Sequence, residues 1–440
     1  MSIEMMNAMN GRRCSCGKVH SFASKVYTGP GAVEKLPRII GAFHAKKVFV
    51  LSDVNTHAAA GERVCGILKE SGIACSGYCF PQEALEPDEH SVGSAVMHFD
   101  HNCDLIVAVG SGVLNDIGKI LSNLSGKPYI IVGTAPSMDG YASASSSMTR
   151  DGLKISLPSR SADVIIGDTD ILCQAPLHMM KAGLGDMIAK YVSICEWRIA
   201  NLICREYYCE EIAQLIRSAL KHCTDNAEGL LRRDPAAVQT VFEGLVIGGV
   251  AMNYAGLSRP ASGVEHYISH VLDMRGAEFG TKVDLHGIQC AVGTLISARL
   301  YEKIKAITPN REKALAYAAA FDYEAWSETL RSLLGKGAES MIALEAKEGK
   351  YDVTSHGKRL EVILSNWENI LKIIEEELPA ADEVEALLDT IQAPKTLTQI
   401  GTDEAMLPII FRATKDIRDK YVLSRLAWDL GVIEELRVDS

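Results

Sequence analysis

Between about residues 26 and 170, short unbroken apolar runs alternate with stretches of helical periodicity. A run that is apolar at every position predicts a strand buried on both faces, the habit of a parallel sheet covered by helices. The expected strands are 47–52, 73–80, 105–109, 129–133 and 163–167, with helices over 57–71, over 87–99 and onward from Val113. Thr28-Gly29-Pro30-Gly31 reads as a turn into a short helix, and Asp151-Gly152 as a hairpin tip between Thr149-Arg150 and Leu153 to Leu157. From about 175 the pattern changes to long helical periods at 176–226, 235–257, 262–273, 283–304, 310–323 and 326–335, with more after Ser355. The predicted organisation is an N-terminal extension (1–25), an α/β domain (26–174) and an all-α domain (175–440).

The chemistry gathers where strands end. The run Leu105 to Val109 leads directly into Gly110-Ser111-Gly112 and then a helix, so unpaired helix-start amides face whatever occupies the turn, a seat for a pyrophosphate or another anion. Asn115 replaces the third glycine of the dinucleotide fingerprint GxGxxG, and the lysine-serine ending of a P-loop is absent. The expected strand 129–133 ends in Thr134, Pro136, Ser137, Met138, Asp139 and Gly140, a polar cluster at the edge where open α/β sheets place ligands. Asp53 closes the first expected strand, where it serves either as a ribose contact or as a helix cap.

In the helical half, Asp186 in GLGDMIAK, His266 in GVEHYISH and His286 in DLHG are one carboxylate and two imidazoles, a donor set for a divalent ion. Each is expected near a helix start, so that helix ends could converge on one cavity. His270, one turn beyond His266, is read as lining the pocket, and Glu265 as pointing elsewhere. Lys190, one turn after Asp186, either neutralises that carboxylate or meets a substrate anion.

Composition narrows the partners. A formal charge of −11 over 440 residues argues against a nucleic-acid footprint. No unbroken apolar stretch approaches a membrane span, and the start lacks the apolar core of a signal peptide, which makes a cytoplasmic protein the expectation. Twelve cysteines dispersed through the chain point to reduced thiols. One group stands apart: Cys14, Cys16 and His20 in RRCSCGKVH, an incomplete donor set for zinc.

Taken together and in order, GSGVLNDIGK, the Thr134 to Gly140 segment, GLGDMIAK, GVEHYISH and DLHG resemble the sn-glycerol-1-phosphate dehydrogenase family, in particular its bacterial AraM-like branch. More widely they resemble the glycerol dehydrogenase, iron-containing alcohol dehydrogenase and dehydroquinate synthase fold group. The resemblance spans about 20–400 and implies a dehydroquinate synthase-like fold, with an α/β nucleotide-binding domain and an all-α metal-binding domain. It implies NAD or NADP as cofactor and one divalent ion, zinc or nickel, on Asp186, His266 and His286. Gly110, Ser111 and Gly112 would hold the pyrophosphate, with Asp116 and Lys119 matching positions on the following helix. Asp53 would meet the adenosine ribose, Thr134 and Ser137 would lie near the cofactor, and Asp139 near substrate and nicotinamide. The turn is GSG where many members have three glycines.

The implied reaction is reversible reduction of dihydroxyacetone phosphate to sn-glycerol 1-phosphate, a step toward phospholipid. The partner is a small phosphorylated triose or polyol, with no nucleic acid and no membrane insertion, and homo-oligomerisation is expected only from its general frequency. The phosphate calls for a basic anchor, for which Lys154, Arg160, Lys190, Arg259 and Lys282 are the candidates. Three rival readings stay open: a dehydrogenase for an unphosphorylated glycerol, polyol or alcohol, a dehydroquinate-synthase-like lyase, and a metabolite sensor without turnover.

Overall fold

The computed structural model describes residues 2–150 and 153–436. Its main sheet is built from β1 (Lys25–Gly29), β2 (Lys47–Asp53), β3 (Ala74–Phe80), β4 (Leu105–Gly110), β5 (Tyr129–Gly133) and, after a hairpin of β6 (Ser145–Arg150) and β7 (Leu153–Pro158), β8 (Val164–Asp168). The order is β1-β8-β5-β4-β2-β3 and every pairing in it is parallel. β4, β5 and β8 are buried along their whole length, as their unbroken apolar runs require. β1 is an addition to the strands expected from the sequence. KVYTG carries a lysine, a threonine and a glycine in five positions, so its pattern shows no apolar run, and its place at the sheet edge needs none. The Asp151-Gly152 tip lies outside the described residues, but its two arms pair antiparallel, with Arg150 opposite Leu153.

The helices that carry the argument are α1 (Ser2–Met9), α2 (Gly112–Ser125), α3 (Leu177–Ile188), α4 (Lys190–Cys204), α5 (Pro235–Ala255), α6 (Val264–Phe279) and α7 (His286–Lys305). By compactness the chain divides into two units, one of Met1–Met187 with Gln214–Leu257 and the other of Ile188–Ala213 with Ser258–Ser440. Division by element type, at 174/175, therefore differs from division by packing, because α3 and α5 are helices that belong with the sheet. The result is a mixed α/β N-terminal part and a large C-terminal helical part.

α5 holds no unbroken apolar run of membrane-span length, being interrupted by Gln239, Thr240 and Glu243, but the test for a span is also one of length and mean apolarity. It meets that test by length and composition, and 67% of its apolar window is buried inside the protein. The reason for its apolarity is visible at Phe242, whose ring packs on strand-end glycines. A Cβ at Gly133 or Gly167 would stand 2.9 or 2.2 Å from that ring.

In the first unit the chain steps from β2 outward to β3, then crosses to β4 on the other side of β2 and proceeds to β5. The direction of winding reverses between β2 and β4, and the crevice at the carboxyl ends of those two strands is where such sheets bind ligands. Asp53 and Gly110 are the last residues of β2 and β4.

Candidate active site

The nucleotide side of the site lies in the first unit. β4 ends at Gly110, where a Cβ would sit 2.5 Å from the Leu114 side chain, so only glycine allows α2 to start so close to the strand. Gly110 O accepts from Thr134 N at 3.1 Å, which ties the two strand-end loops together. Across them the hydroxyls of Ser111 and Ser137 share a hydrogen bond of 2.5 Å. The opening amides of α2 face the crevice beside these hydroxyls, an arrangement able to take a pyrophosphate. Asp53 acts as a helix cap: its Oδ1 accepts from Thr56 N at 2.8 Å, and Thr56 Oγ1 accepts from Asp53 N at 3.0 Å. A cap at the end of β2 still holds a carboxylate at the switch point.

Asp116 and Lys119 face inward. The fully buried Lys119 ammonium donates to Gly140 O at 2.8 Å, Ser143 Oγ at 3.0 Å, Ser145 O at 2.9 Å and Asp116 Oδ1 at 3.1 Å. Asp116 Oδ2 in turn accepts from Ser147 N at 3.1 Å. The pair therefore clamps the loop and hairpin that follow Asp139.

Asp139 is half-buried, and its amide donates to Asp186 Oδ2 at 2.9 Å. This contact depends on Gly183, one turn earlier on α3, because a Cβ there would fall 1.8 Å from the Pro136 carbonyl oxygen. Asp186 lies near the end of α3, two residues before Ile188, and not at a helix start. The apolar period runs on from α3 into α4, so the sequence pattern concealed the break at Ala189.

In the second unit, His266 is the third residue of α6 and His286 the first of α7, both at helix starts as expected. Their ring centroids are 5.0 Å apart. Each ring is held from behind. His266 Nδ1 lies 2.7 Å from Glu265 Oε1, and His286 Nδ1 lies 3.0 Å from Ser269 Oγ. Glu265 thus corrects the sequence reading, which turned it away from His266. Its carboxylate curls back over the helix start, accepting from Gly263 N at 2.7 Å, and in that pose it reaches the neighbouring imidazole. A carboxylate can only accept from Nδ1–H, which makes Nε2 the lone-pair nitrogen of His266, the form in which an imidazole ligates a metal.

Glu265 Oε2 is buried without a hydrogen-bond partner among the described residues, leaving negative charge that a cation nearby would offset. Glu196 sits behind, accepting from Val264 N at 2.9 Å and Leu423 N at 2.7 Å. Burial, and then the charge on Glu265, pushes its carboxyl up to about 8. The donor set is chemically suited to a divalent ion.

Sequence reasoning missed Cys290, one helical turn after His286. Donor atoms of His266, His286 and Cys290 all lie within 4.8 Å of one another. Burial alone would raise this thiol, but His266 and His286 outweigh it and its pKa lies below the ordinary value. The signal was the HxxxC spacing on a helix start. The His270 ring lies near-parallel to that of His286, with the centroids 6.0 Å apart.

The basic candidates are placed differently from one another. Arg259 is 2% exposed and committed: its guanidinium bonds Glu206 at 2.7 and 2.5 Å and the Tyr421 carbonyl at 2.8 Å. Arg160 pairs with Asp163 at 3.0 Å. Lys154 is on β7 opposite Thr149, Lys190 is buried at the start of α4, and Lys282 is exposed ahead of α7. A further cation, Lys420, was not singled out from the sequence. Its ammonium donates to Ser262 O at 2.9 Å and Ser262 Oγ at 2.5 Å, just before the turn into α6. Desolvation, helped by Arg259 and Arg418, lowers its pKa to about 7.

Known proteins share this build. Residues 27–176 match the family model described as iron-containing alcohol dehydrogenase. A glycerol dehydrogenase from Schizosaccharomyces pombe superposes with a TM-score of 0.61 at 15% identity, over 97% of this chain and 92% of its own, a likeness of fold. A glycerol-1-phosphate dehydrogenase (NAD(P)+) of Halalkalibacterium halodurans is 32% identical over 294 residues, 66% of this chain and 74% of the relative. The enzyme of that name from Methanosarcina mazei is 32% identical over 277 residues, 63% of this chain and 76% of the relative. Fold and relatives define an NAD(P)-dependent oxidoreductase of the glycerol and iron-containing alcohol dehydrogenase class. Within it, the chain belongs to the glycerol-1-phosphate dehydrogenase family.

Proposed function

We propose that the protein reduces dihydroxyacetone phosphate to sn-glycerol 1-phosphate, reversibly, with NADH or NADPH and one divalent ion, zinc or nickel. The observation that carries this reading is the pair of imidazoles, His266 and His286, each fixed through Nδ1 at a helix start. Membership of the family selects the phosphorylated triose. The proposed ligands are Asp186, His266 and His286, with the buried Cys290 thiol beside the two imidazoles. When bound, the ion supplies Lewis acidity toward the substrate C2 oxygen and the dihydronicotinamide supplies hydride.

The chain's own residues do the rest. The Gly110-Ser111-Gly112 turn and the first amides of α2 bind the pyrophosphate, Ser111 and Ser137 add hydroxyl donors, Thr134 lies beside the cofactor, and Asp53 accepts from the adenosine ribose. Asp139 orients the substrate or the water and hydroxyl chain that delivers the proton, and His270 lines the pocket.

For the phosphate we favour Lys420 over the five cations considered from sequence. Its pKa is lowered first by desolvation and then by Arg259 and Arg418, an ammonium whose charge a phosphate dianion would stabilise, whereas Arg259 is already paired with Glu206. Lys420→Met should raise KM for dihydroxyacetone phosphate by tenfold or more, about 1.4 kcal/mol, and leave KM for dihydroxyacetone little changed. Equal effects on both substrates would remove Lys420 from this role. A wild-type preference for unphosphorylated polyols would overturn the substrate assignment and favour a polyol dehydrogenase. The remaining parts of the proposal are a place in the AraM-like branch, a role in phospholipid synthesis, a cytoplasmic location and a homo-oligomeric state.

A further inference from the structure

The group Cys14, Cys16 and His20 is not used by the reaction, yet its geometry is tightly specified. After α1 the chain makes a closed hairpin. Gly11 N donates to His20 O at 2.7 Å, Arg13 and Val19 form an antiparallel bridge, and Cys14 N donates to Lys18 O at 2.9 Å. Gly17 takes the turn at φ +87, a conformation that favours glycine. The base is fastened as well: Asn10 Nδ2 donates to Phe22 O at 2.9 Å, and Asn10 Oδ1 accepts from Phe22 N at 2.8 Å.

Inside this hairpin the three donors converge. Cys14 Sγ, Cys16 Sγ and a ring nitrogen of His20 lie within 4.8 Å of one another, and Cys16 Sγ is 3.4 Å from His20 Nε2. Tetrahedral zinc, with bonds of about 2.3 Å to sulfur and about 2.0 Å to nitrogen, places a sulfur and a nitrogen ligand roughly 3.5 Å apart. Cys16 N–H points at Cys14 Sγ from 3.4 Å, a backbone donor that favours thiolate over thiol. Cys14 and His20 are 6% and 1% exposed, so the group is an interior one.

The imidazole is fixed in the state a metal needs. His20 Nδ1 lies 2.9 Å from the carbonyl oxygen of Tyr254, in the last turn of α5, where helix carbonyls lack intrahelical partners. A carbonyl only accepts, so Nδ1 carries the proton and the Nε2 lone pair faces Cys16. Tyr254 holds the same region a second way, its hydroxyl donating to Met6 O on α1 at 3.0 Å.

We propose that Cys14, Cys16 and His20 bind a structural zinc ion that staples the N-terminal hairpin to the end of α5, separately from the catalytic ion. Soft thiolates with an imidazole select zinc over the hard divalent cations. The trio supplies three of the four positions of a tetrahedral zinc ion.

Crystals of the wild-type protein, purified with zinc and reductant, are examined by anomalous diffraction on either side of the zinc edge. A peak among the three donor atoms is expected, with sulfur near 2.3 Å in the zinc absorption spectrum of the His266→Ala, His286→Ala double variant. That variant should retain one zinc per chain, and adding Cys14→Ser and Cys16→Ser should abolish it. No peak at the three donors, a Cys14–Cys16 disulfide in reduced protein, or zinc that persists without both thiols would each overturn the proposal. Failure here leaves the proposed reaction untouched, since that depends on a different group of residues.

Discussion

Glu265 is the residue on which the metal reading depends most. Helix geometry separates adjacent side chains, which is why the sequence suggested that Glu265 turns away from His266. The structure differs because a carboxylate at a helix start is drawn back to the free amide of Gly263, and that pose carries it to Nδ1. Glu265→Gln should weaken binding of zinc or nickel by roughly 10–100-fold, read by competition with a chromophoric chelator. Unchanged affinity would show that His266 needs no such support. Lys420 is a second residue with a measurable signature. Its folded pKa of about 7 is depressed from the ordinary 10.5, so its stability contribution is present above 10.5 and is lost as pH falls through 7. The urea midpoint of the wild type should therefore decline relative to Lys420→Met as pH is lowered from 10 to 7. A difference that does not vary with pH would contradict the depressed value. Neither feature was legible in the sequence, because each depends on which polar groups the fold brings within reach.

Among the elements, the contact of α3 with the loop after β5 places Asp186 against Asp139. Gly183 permits it, and Gly183→Ala should cost about 1–3 kcal/mol by overpacking against Pro136. It should also lower kcat by moving Asp186; urea denaturation and steady-state rates check the two effects. Native stability together with native kcat would show that the helix has room to shift. The fully buried strands and the glycine turn after β4 were readable in advance because an unbroken apolar run ending at Gly110 has few alternatives. β1 was not, since an edge strand carries no such run, nor was the break between α3 and α4, since the apolar period continues through it. α5 was legible as a helix, and its apolarity reflects burial against Gly133 and Gly167.

For the molecule as a whole, six parallel strands reverse their winding between β2 and β4, which sets Asp53 and Gly110, two of the residues proposed for the cofactor, at neighbouring carboxyl ends. The motifs in order were enough to indicate the family, to which the 32% identity over 74% of a relative now assigns the chain. The choice of phosphate anchor was beyond the sequence, because it depends on which cations are already paired. The central claim is metal-dependent reduction of dihydroxyacetone phosphate. The decisive measurement follows NADH and NADPH oxidation with that substrate after chelation, and again after zinc and nickel are restored separately. Turnover should vanish on chelation, return with at least one metal and yield sn-glycerol 1-phosphate. Full turnover without metal, or none with either metal and either nucleotide, would contradict it.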